Sequence, residues 1–541
     1  MPAFVICLSH LQSCLPYLFI RKTESNPTMG VMRNFTDVAQ LGWLQLSALA
    51  LTLLLGWILF TIIYNLFFHP LRNIPGPLLH RATIIPWSIQ ILRGTQMFAT
   101  QKMHDRYGPV VRLSPNHVAF TDARAWKGIY GSLVGHQSGM TELPKSRFFV
   151  KALDDTVTQI INADPTEHTL TRRALASGFS ATSLRQQEHI LVRYTDHLMS
   201  LLHSMCDDGL TPINAERWYN YLSFDITGDL IFGESFGCLD GSAYRPWIAL
   251  LVEAMKFSTS MTVLALLSLS WLPRLFARAA GALGANPLGP MAAYNDALVR
   301  RRMAMPPGRP DLFEGLVRRQ KELGFSHDKM CANAFILILG GSETTATTLA
   351  GATYKLLTNP GVYERLKGEV RGAFKSAEEI TVSSANGLTY MLAVLNEALR
   401  MYPPIASNLV REVPRGGVEV AGRFMPGGTL VEVQPWSIHH SKENWHQPWE
   451  FRPERWLRDE DGDPAFKDDN LDTMQAFSTG PRNCIGRNLA FAQMRLALAR
   501  LVYDFDMSLA DESDGWFEKQ RSYLLWDRAE LNVYFKPVRR P

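Results

Sequence analysis

Cysteine is scarce in this chain, with six residues in 541. None of the six forms a CxxC pair or belongs to a histidine cluster. Because zinc sites normally draw four ligands from such paired spacings, Cys484 is a poor candidate for a zinc ligand. So few cysteines in so long a chain argue against a disulfide framework and indicate a reducing compartment.

An excess of charge of one sign is also lacking. The 55 basic and 51 acidic residues leave a formal net charge of +4, and no long run of lysine or arginine occurs. Nucleic-acid binding therefore has little support. From about residue 80 to residue 541 there is no Gly/Ser linker, block of like charge or internal repeat, so this stretch is predicted to form one large domain.

Charged residues are absent from residues 41–68, an apolar stretch of 28 residues. About 20 apolar residues suffice to cross the hydrocarbon core of a bilayer. The stretch is therefore predicted to be a transmembrane helix, with Trp43, Trp57 and Tyr64 towards the interfaces. A buried core helix is the less favoured alternative.

Residues 1–40 are predicted to be luminal, or partly an extension of the gene model with Met29 or Met32 as the start. They include a weaker apolar stretch at 3–20. Asn34 begins an Asn-Phe-Thr triplet that would accept a glycan if this end is luminal. The charges flanking the apolar stretch are nearly balanced and do not fix the orientation.

Proline follows the apolar stretch. Residues 69–80, which include "HPLRNIPGP", are predicted to form a stiff hinge, because prolines favour extended backbone and prevent a continuing helix. Residues 81–541 are predicted to form the large domain that follows this hinge.

Apolar periodicity within this domain predicts several helices and short strands. The helical patterns cover 328–357, 361–374, 388–401 and the residues after Cys484, and the strand patterns lie at 109–113 and 418–433. The domain is therefore predicted to be mainly α-helical with small β-sheets.

Two glycines, Gly340 and Gly341, interrupt the long helical pattern within the stretch "GGSETT". Two glycines in a helix interior cost about 2 kcal/mol relative to alanine. This cost indicates that another group approaches the backbone here, or that the helix bulges. Glu343 and Thr344 would supply an acid and a hydroxyl at that opening, although a solvated stripe on a surface helix is the alternative.

Residues 397–400 read "EALR", and at this spacing Glu397 and Arg400 can pair on one helix face. The later stretch "FRPERW" offers Arg455 as a second guanidinium for the same carboxylate. A carboxylate held between two arginines would lock a loop against a helix.

Cys484 lies in the unusual stretch "FSTGPRNCIG", directly before a helical pattern. Glycines here allow close approach to the backbone, and a following helix N-terminus stabilises an anionic sulfur. The stretch resembles the haem-binding loop of the cytochrome P450 family, whose pattern is F-x-x-G-x-R-x-C-x-G. All five fixed positions match, namely Phe477, Gly480, Arg482, Cys484 and Gly486.

The resemblance extends over roughly residues 69–541. "GGSETT" is similar to the oxygen-activating helix segment of the family, and Glu397, Arg400 and Arg455 are similar to its E-x-x-R network. The family implies the cytochrome P450 fold and haem b (iron protoporphyrin IX) as cofactor. A thiolate on haem iron favours O–O cleavage.

The resemblance also implies residue roles. Cys484 would bind the iron, Phe477 would shield the sulfur, and Arg482 would pair with a haem propionate. Gly340 and Gly341 would let the haem approach the helix, with Thr344 and Glu343 as the catalytic proton relay. Further propionate partners are expected at His168 and Arg172, in "HTLTR", where His replaces the family's usual Trp, and at Arg411.

The implied activity is that of a monooxygenase, which inserts one atom of O2 into an apolar substrate. No flavin or nicotinamide motif occurs, so NADPH–cytochrome P450 reductase is the expected partner, steered by basic residues such as Arg173 and Arg487. The substrate would lie near residues 131–163, 255–290, 405–408, Tyr523 and Leu524.

The joint "YNLFFHPLRNIPGP" resembles that of fungal microsomal enzymes that tailor terpenoid or polyketide secondary metabolites. This implies one pass through the endoplasmic reticulum membrane, contact with membrane lipid and a cytosolic catalytic domain. Two alternatives remain: a non-oxygenase isomerase or dehydratase of the same fold, and a non-catalytic haem carrier or sensor. The pair Glu343 and Thr344 argues against both.

Overall fold

A computed structural model describes most of the chain, which divides after Ile63 into a first and a second unit. The described residues are 43–132, 141–148, 157–242, 245–269, 271–272, 289–407, 409–457 and 462–540. Predictions for residues 1–40, including Asn34, lie outside these ranges. So do Asn408 and parts of the segments 131–163 and 255–290.

Helix α1 (Trp43–Ile63) is the described part of the first unit. The helical run Gln45–Phe68, which ends in the π-helical turn Tyr64–Phe68, is long and apolar enough to cross a membrane, with a mean hydropathy of 2.4. Its large apolar side chains are exposed. These properties fit a transmembrane anchor, as the sequence predicts.

The second unit is mainly helical. Its α-helices are α2 (Leu78–Ala82), α3 (Ile85–Leu92), α4 (Gln96–Tyr107), α5 (Arg124–Tyr130), α6 (Pro165–Ala176), α7 (Ala181–Met205), α8 (Ala215–Phe232), α9 (Arg245–Leu266), α10 (Gly289–Ala304), α11 (Glu314–Leu323), α12 (His327–Leu357), α13 (Pro360–Ala373), α14 (Val382–Ala385), α15 (Thr389–Met401), α16 (Pro435–His439) and α17 (Arg487–Asp504). Short 3₁₀ turns include Pro453–Trp456. The long predicted helices are confirmed to within two residues at each end.

The strands are short and lie in small sheets. They are β1 (Val110–Ser114), β2 (His117–Phe120), β3 (Pro212–Asn214), β4 (Arg411–Glu412), β5 (Val418–Val420), β6 (Arg423–Met425), β7 (Leu430–Val433), β8 (Phe505–Leu509), β9 (Arg521–Tyr523), β10 (Leu525–Asp527) and β11 (Asn532–Pro537). The largest described sheet has the order β1-β2-β7-β4, in which only β2 and β7 run parallel. The others are β3-β11-β8, β9-β10 and β5-β6.

Helix α12 is central to the packing of the second unit. It begins where the Ser326 hydroxyl accepts a hydrogen bond from the amide of Lys329, and it ends just before Asn359 and Pro360. It packs against α8, α10, α15 and α17, and their buried apolar side chains form one continuous core. This packing supports a helix far longer than propensity alone would sustain.

The predicted hinge differs from the structure at its end. Residues 69–77 are turn and irregular backbone, but α2 begins at Leu78, so the predicted boundary at residue 80 falls inside a helix. Pro77 caps that helix, because proline cannot continue a preceding helix but has a φ suited to the start of the next one.

Candidate active site

The loop around Cys484 is held in shape by its own backbone. The Cys484 amide donates to the Phe477 carbonyl at 2.9 Å, and Gly486 forms the N-cap of α17. Gly480 has a φ of +74°, and a Cβ at this position would lie 1.9 Å from the carbonyl oxygen of Tyr130. Only glycine satisfies both conditions, so the loop packs directly on the end of α5.

The Cys484 side chain is accessible to solvent on one side, and protein atoms surround it closely on the others. Desolvation therefore raises the pKa of its thiol, while the Gly486 amide and the cations Arg172 and Arg487 act in the opposite direction. Phe477 lies beside this loop, with its ring 5.4 Å from that of Phe491. A thiol in such a site becomes a thiolate when a metal ion binds the sulfur.

A group of cations surrounds Glu142 on the other side of the loop. Arg482 forms an ion pair with Glu142 at 2.7 Å, and Arg411 lies 4.0 Å from it. Lys145 lies close by and is half-buried, and desolvation followed by the charge of Arg411 lowers the pKa of its amine well below the usual value. The two arginines outweigh the single carboxylate, so the group keeps a net positive charge that favours an anionic ligand.

His168 and Arg172 on α6 border the same group but make different contacts. Burial, and then Arg482, lower the pKa of His168 to about 4, so its imidazole is neutral at pH 7 and can donate an N–H. Arg172 donates to the carbonyl and side-chain oxygens of Asn483, at 2.6 and 2.5 Å. Arg172 therefore braces the cysteine loop against α6.

The two glycines of α12 have different environments. A Cβ at Gly340 would meet nothing within 4 Å, whereas one at Gly341 would lie 3.0 Å from the side chain of Thr227 on α8. The helix continues through both residues without the bulge that the sequence left open. Gly341 thus serves helix packing, and Gly340 leaves an open backbone face.

Thr344 lies one turn after Gly340 and donates its hydroxyl to the Gly340 carbonyl at 2.7 Å. Its partner in the predicted relay, Glu343, is buried. Oε2 of Glu343 accepts a hydrogen bond from Arg528 at 2.8 Å, and Oε1 is buried with no hydrogen-bond partner among the described residues. The carboxylate is therefore held by Arg528 through Oε2, while Oε1 remains free to accept a hydrogen bond.

Arg528 is a site residue that the sequence patterns did not identify. It lies between β10 and β11, and it also pairs with Glu216 and hydrogen-bonds to Asn220 and Thr347. Burial alone would lower the pKa of Arg528, but Glu343 and Glu216 raise it above the usual value. The guanidinium is permanently charged and connects α8, α12 and the C-terminal strands.

The structure brings together Glu397, Arg400 and Arg455 in the core. Glu397 accepts hydrogen bonds from Arg400 at 2.7 and 2.9 Å and from Arg455 at 3.0 Å, and all three side chains are fully buried. The indole of Trp456 also donates to Glu397, at 2.9 Å. Burial would raise the pKa of Glu397, but Arg400 and Arg455 hold it below its usual value.

An apolar cluster includes Leu339, the residue that precedes Gly340 on α12. It contains Met255, Leu339 and Leu525, with Ile405 and Leu524 packed against it. Met255 and Leu524 also line a cleft whose wall includes Trp87, Ile91, Phe148, Thr259, Leu266 and Tyr523. The structure thus brings together several of the predicted substrate-lining residues.

Two observations test whether these residues fit a haem group. Nη1 of Arg482 is buried and has no hydrogen-bond partner among the described residues, as expected of a donor that awaits an anionic group. The open backbone at Gly340 permits close approach of a flat group to α12. With a single cysteine in the loop as the iron donor, this set of residues fits haem.

Known proteins resemble this chain over most of its length. The family described as cytochrome P450 matches residues 75–534. The cytochrome P450 monooxygenase tpeC of Talaromyces stipitatus is 43% identical over 498 residues, which cover 91% of this chain and 95% of the relative. The trichothecene C-15 hydroxylase of Fusarium sporotrichioides is 41% identical, over 89% of this chain and 96% of the relative.

A third relative, the cytochrome P450 monooxygenase aclL of Aspergillus oryzae, is 37% identical over 90% of this chain and 98% of its own length. The chain belongs to the cytochrome P450 family. It is a haem-iron monooxygenase, an oxidoreductase that uses O2, an organic substrate and a redox partner.

Proposed function

We propose that this enzyme hydroxylates or epoxidises an apolar secondary metabolite, such as a terpenoid or polyketide, using haem b and electrons from NADPH–cytochrome P450 reductase. The observation that carries the proposal is the cleft lined by Trp87, Ile91, Met255 and Leu524. Met255 and Leu524 also pack in the apolar cluster that contains Leu339 of α12. Most of the cleft wall is apolar, which suits a lipophilic substrate. Hydroxyl groups also occur along it, on Ser146, Ser258, Thr259, Thr262 and Tyr523.

Haem iron with a thiolate ligand activates O2, so that substrate, O2, NADPH and one proton give the oxygenated product, water and NADP⁺. In this chain Cys484 would hold the iron, and Arg482, Arg411 and His168 would hold the propionates. Phe477 would keep water from the sulfur. Arg172 would keep the loop in position through Asn483.

The proton needed beside the open face of α12 would come through Thr344 and Glu343. The Thr344 hydroxyl, which donates to the Gly340 carbonyl, can turn to donate to a water molecule at this face. Oε1 of Glu343 is the free oxygen that would accept a proton from outside, while Arg528 fixes Oε2. Arg528 is thus a positioning residue for the relay.

The proposed reductase would dock at the cysteine side. Arg173 and Arg487 are exposed on α6 and at the start of α17, next to the Cys484 loop. Positive charge there would attract an acidic partner surface. Electron transfer would then reach the iron through the sulfur side.

The proposed location is the endoplasmic reticulum membrane, with the second unit in the cytosol. Besides the anchor helix, the second unit exposes large apolar side chains on α2 and α3, which are Leu78, Leu79, Ile85, Ile89 and Leu92. Such an exposed apolar surface favours contact with membrane lipid. Because Trp87 and Ile91 of α3 also line the cleft, a lipophilic substrate dissolved in the bilayer could enter beside it.

The test uses the full-length enzyme in microsomes, with NADPH, the reductase and a panel of terpenoids and polyketides. A substrate should shift the haem spectrum, and under ¹⁸O2 its product should carry one labelled atom only when the reductase is present. Conversion of a peroxide without reductase would instead indicate an isomerase or dehydratase. Bound haem with no turnover on any compound would indicate a carrier or sensor.

A further inference from the structure

Three potential metal ligands lie together near the start of α12, where α10 packs against this helix. This position is several turns away from Gly340. The ligand atoms of Asp296, His327 and Cys331 all lie within 4.8 Å of one another. Nε2 of His327 is 2.5 Å from Oδ1 of Asp296 and 3.4 Å from Sγ of Cys331, and that sulfur is 4.0 Å from Oδ1. None of these side chains takes part in the active site.

The local sequence explains why the three side chains converge. His327 and Cys331 are four residues apart on α12, so they lie on one face of the helix. Asp296 comes from α10, and the neighbouring Asn295 ties the two helices together by donating to the Cys331 carbonyl at 3.0 Å. Helix capping by Ser326 fixes the turn that carries His327.

Arg300 orients the carboxylate of Asp296. Its Nε donates to Oδ2 at 2.8 Å and its Nη2 to Oδ1 at 3.2 Å. This contact turns Oδ1 towards His327 and Cys331. Metal sites commonly have such partners that hold a ligand from behind.

Imidazole nitrogen, thiolate sulfur and carboxylate oxygen are the three ligand types that zinc prefers. A tetrahedral shell with Zn–S of about 2.3 Å and Zn–N or Zn–O of about 2.1 Å places its donor atoms about 3.3–3.7 Å apart. The observed separations of 2.5, 3.4 and 4.0 Å bracket this range. Small rotations of Asp296 and His327 therefore suffice to form the shell.

We propose that Asp296, His327 and Cys331 form a zinc site with water as the fourth ligand. The side chains of His327 and Asp296 are 26% and 38% exposed, so an ion and its water can reach them. On binding, the thiol proton passes to solvent, and one thiolate and one carboxylate then balance the charge of Zn²⁺. Arg300 brings a positive charge to this site, and Asp328, the residue after His327, brings a negative one.

The ion would join α10 to the start of α12. Cys331 precedes Thr344 by 13 residues, which corresponds to about 20 Å along a helix. Zinc would therefore stabilise the end of the helix that carries the proton relay without contacting the haem or the substrate. Because a ligand that binds only the folded state stabilises that state, thermal unfolding should depend on zinc concentration.

The test uses haem-loaded, full-length enzyme, so that iron occupies Cys484, in a background with Cys7→Ser and Cys14→Ser to remove the N-terminal thiols. Zinc alone is added after chelator treatment, and its affinity is measured by competition with a chromophoric chelator. X-ray absorption at the zinc edge then identifies the ligands without interference from haem. His197→Ala is the matched control, because His197 forms an exposed pair with Asp240 at 2.7 Å.

The expected result is one zinc ion per chain, with one sulfur neighbour at about 2.3 Å. Cys331→Ser and His327→Ala should each weaken binding by at least about tenfold, whereas His197→Ala should not. The proposal is wrong if no zinc is retained, if the bound zinc has no sulfur neighbour, or if Cys331→Ser leaves the affinity unchanged. The sulfur signal is measured on the enzyme with Cys331 intact, so this measurement remains informative even if a variant does not fold.

Discussion

At the scale of single residues, the interior of α12 combines an open backbone face with two groups that can move a proton. Gly340 supplies the opening, Thr344 the hydroxyl and Glu343 the acid, and each lies within one turn of the others. The hydroxyl is anchored to the backbone, and the carboxylate is anchored to Arg528 at one oxygen only. Both groups are therefore positioned by the protein before any substrate enters.

Replacement of Thr344 by alanine tests the role of this hydroxyl. Positioned proton donors contribute about 10²–10⁴-fold to the step they assist. The Thr344→Ala enzyme should keep its haem and its substrate-induced spectral shift, and it should still oxidise NADPH. It should release more hydrogen peroxide per molecule of product, measured by a peroxide assay alongside product analysis.

Thr348→Ala is the matched control, since Thr348 makes the same kind of bond to the carbonyl four residues before it, one turn further along. Its coupling of NADPH to product should match that of the unmodified enzyme. Unchanged coupling in Thr344→Ala would show that the hydroxyl has no part in the relay.

Single residues also show which parts of the site cannot be predicted from sequence motifs. Cys484 and Thr344 lie in short motifs and can be located from the chain alone. Arg528 and Glu142 cannot, because each reaches the site from a segment without a motif, through contacts that only the folded chain creates. For the same reason Asp296, which precedes His327 by 31 residues, is not recognisable as its neighbour.

At the scale of elements, two sets of contacts hold the cysteine loop and the segment 451–456 that precedes it. The loop packs on α5 through Gly480, and the segment 451–456 is fixed to α15 through Glu397.

Helix bounds are well predicted by periodicity and proline. The end of the hinge is not, because proline both stops one helix and starts another, so Leu78 could belong to either element.

Replacement of Gly480 by alanine should abolish haem binding. The added methyl group would lie 1.9 Å from the Tyr130 carbonyl oxygen, so the loop or α5 must move. Gly422→Ala is the control: Gly422 has a similar φ of +79°, but a Cβ there would meet nothing within 4 Å. That change should cost only about 1–2 kcal/mol in stability and leave haem content intact; equal haem content in both variants would contradict the proposed fit.

Replacement of Arg455 by leucine should destabilise the fold strongly. It leaves the buried Glu397 with one arginine fewer and also removes the partner of Asp469, and breaking a buried pair in this way costs about 3–5 kcal/mol. Chemical denaturation and the haem-loaded fraction would measure the loss. Arg452→Ala, which removes an exposed pair with Glu450, should cost less than about 1 kcal/mol; similar losses for both variants would contradict a structural role for the network.

At the scale of the whole molecule, an apolar helix precedes a large helical unit whose own surface carries exposed leucine and isoleucine side chains. The proposed arrangement places the second unit in the cytosol, where a reductase can reach Arg173 and Arg487. Substrate would then arrive from the lipid and electrons from the aqueous phase. Sequence composition alone predicts the anchor, but its balanced flanking charges do not predict the orientation.

Protease treatment of intact microsomes tests this orientation. Residues 69–541 should be digested without detergent, while a luminal marker protein remains intact. Detergent-treated microsomes provide the control in which both are digested. Protection of the catalytic domain in intact microsomes would reverse the proposed topology.

The most direct test of the central claim, that Cys484 is the thiolate ligand of haem iron, is the spectrum of the reduced enzyme with carbon monoxide. The unmodified enzyme should show the strongly red-shifted Soret band that a thiolate ligand produces. Cys206→Ala should retain it, because Cys206 is a buried residue at the end of α7 and is not part of the loop. Cys484→Ala and Cys484→His should both lose it. If either Cys484 variant kept the band, another cysteine would be the ligand and the site described here would not be the haem site.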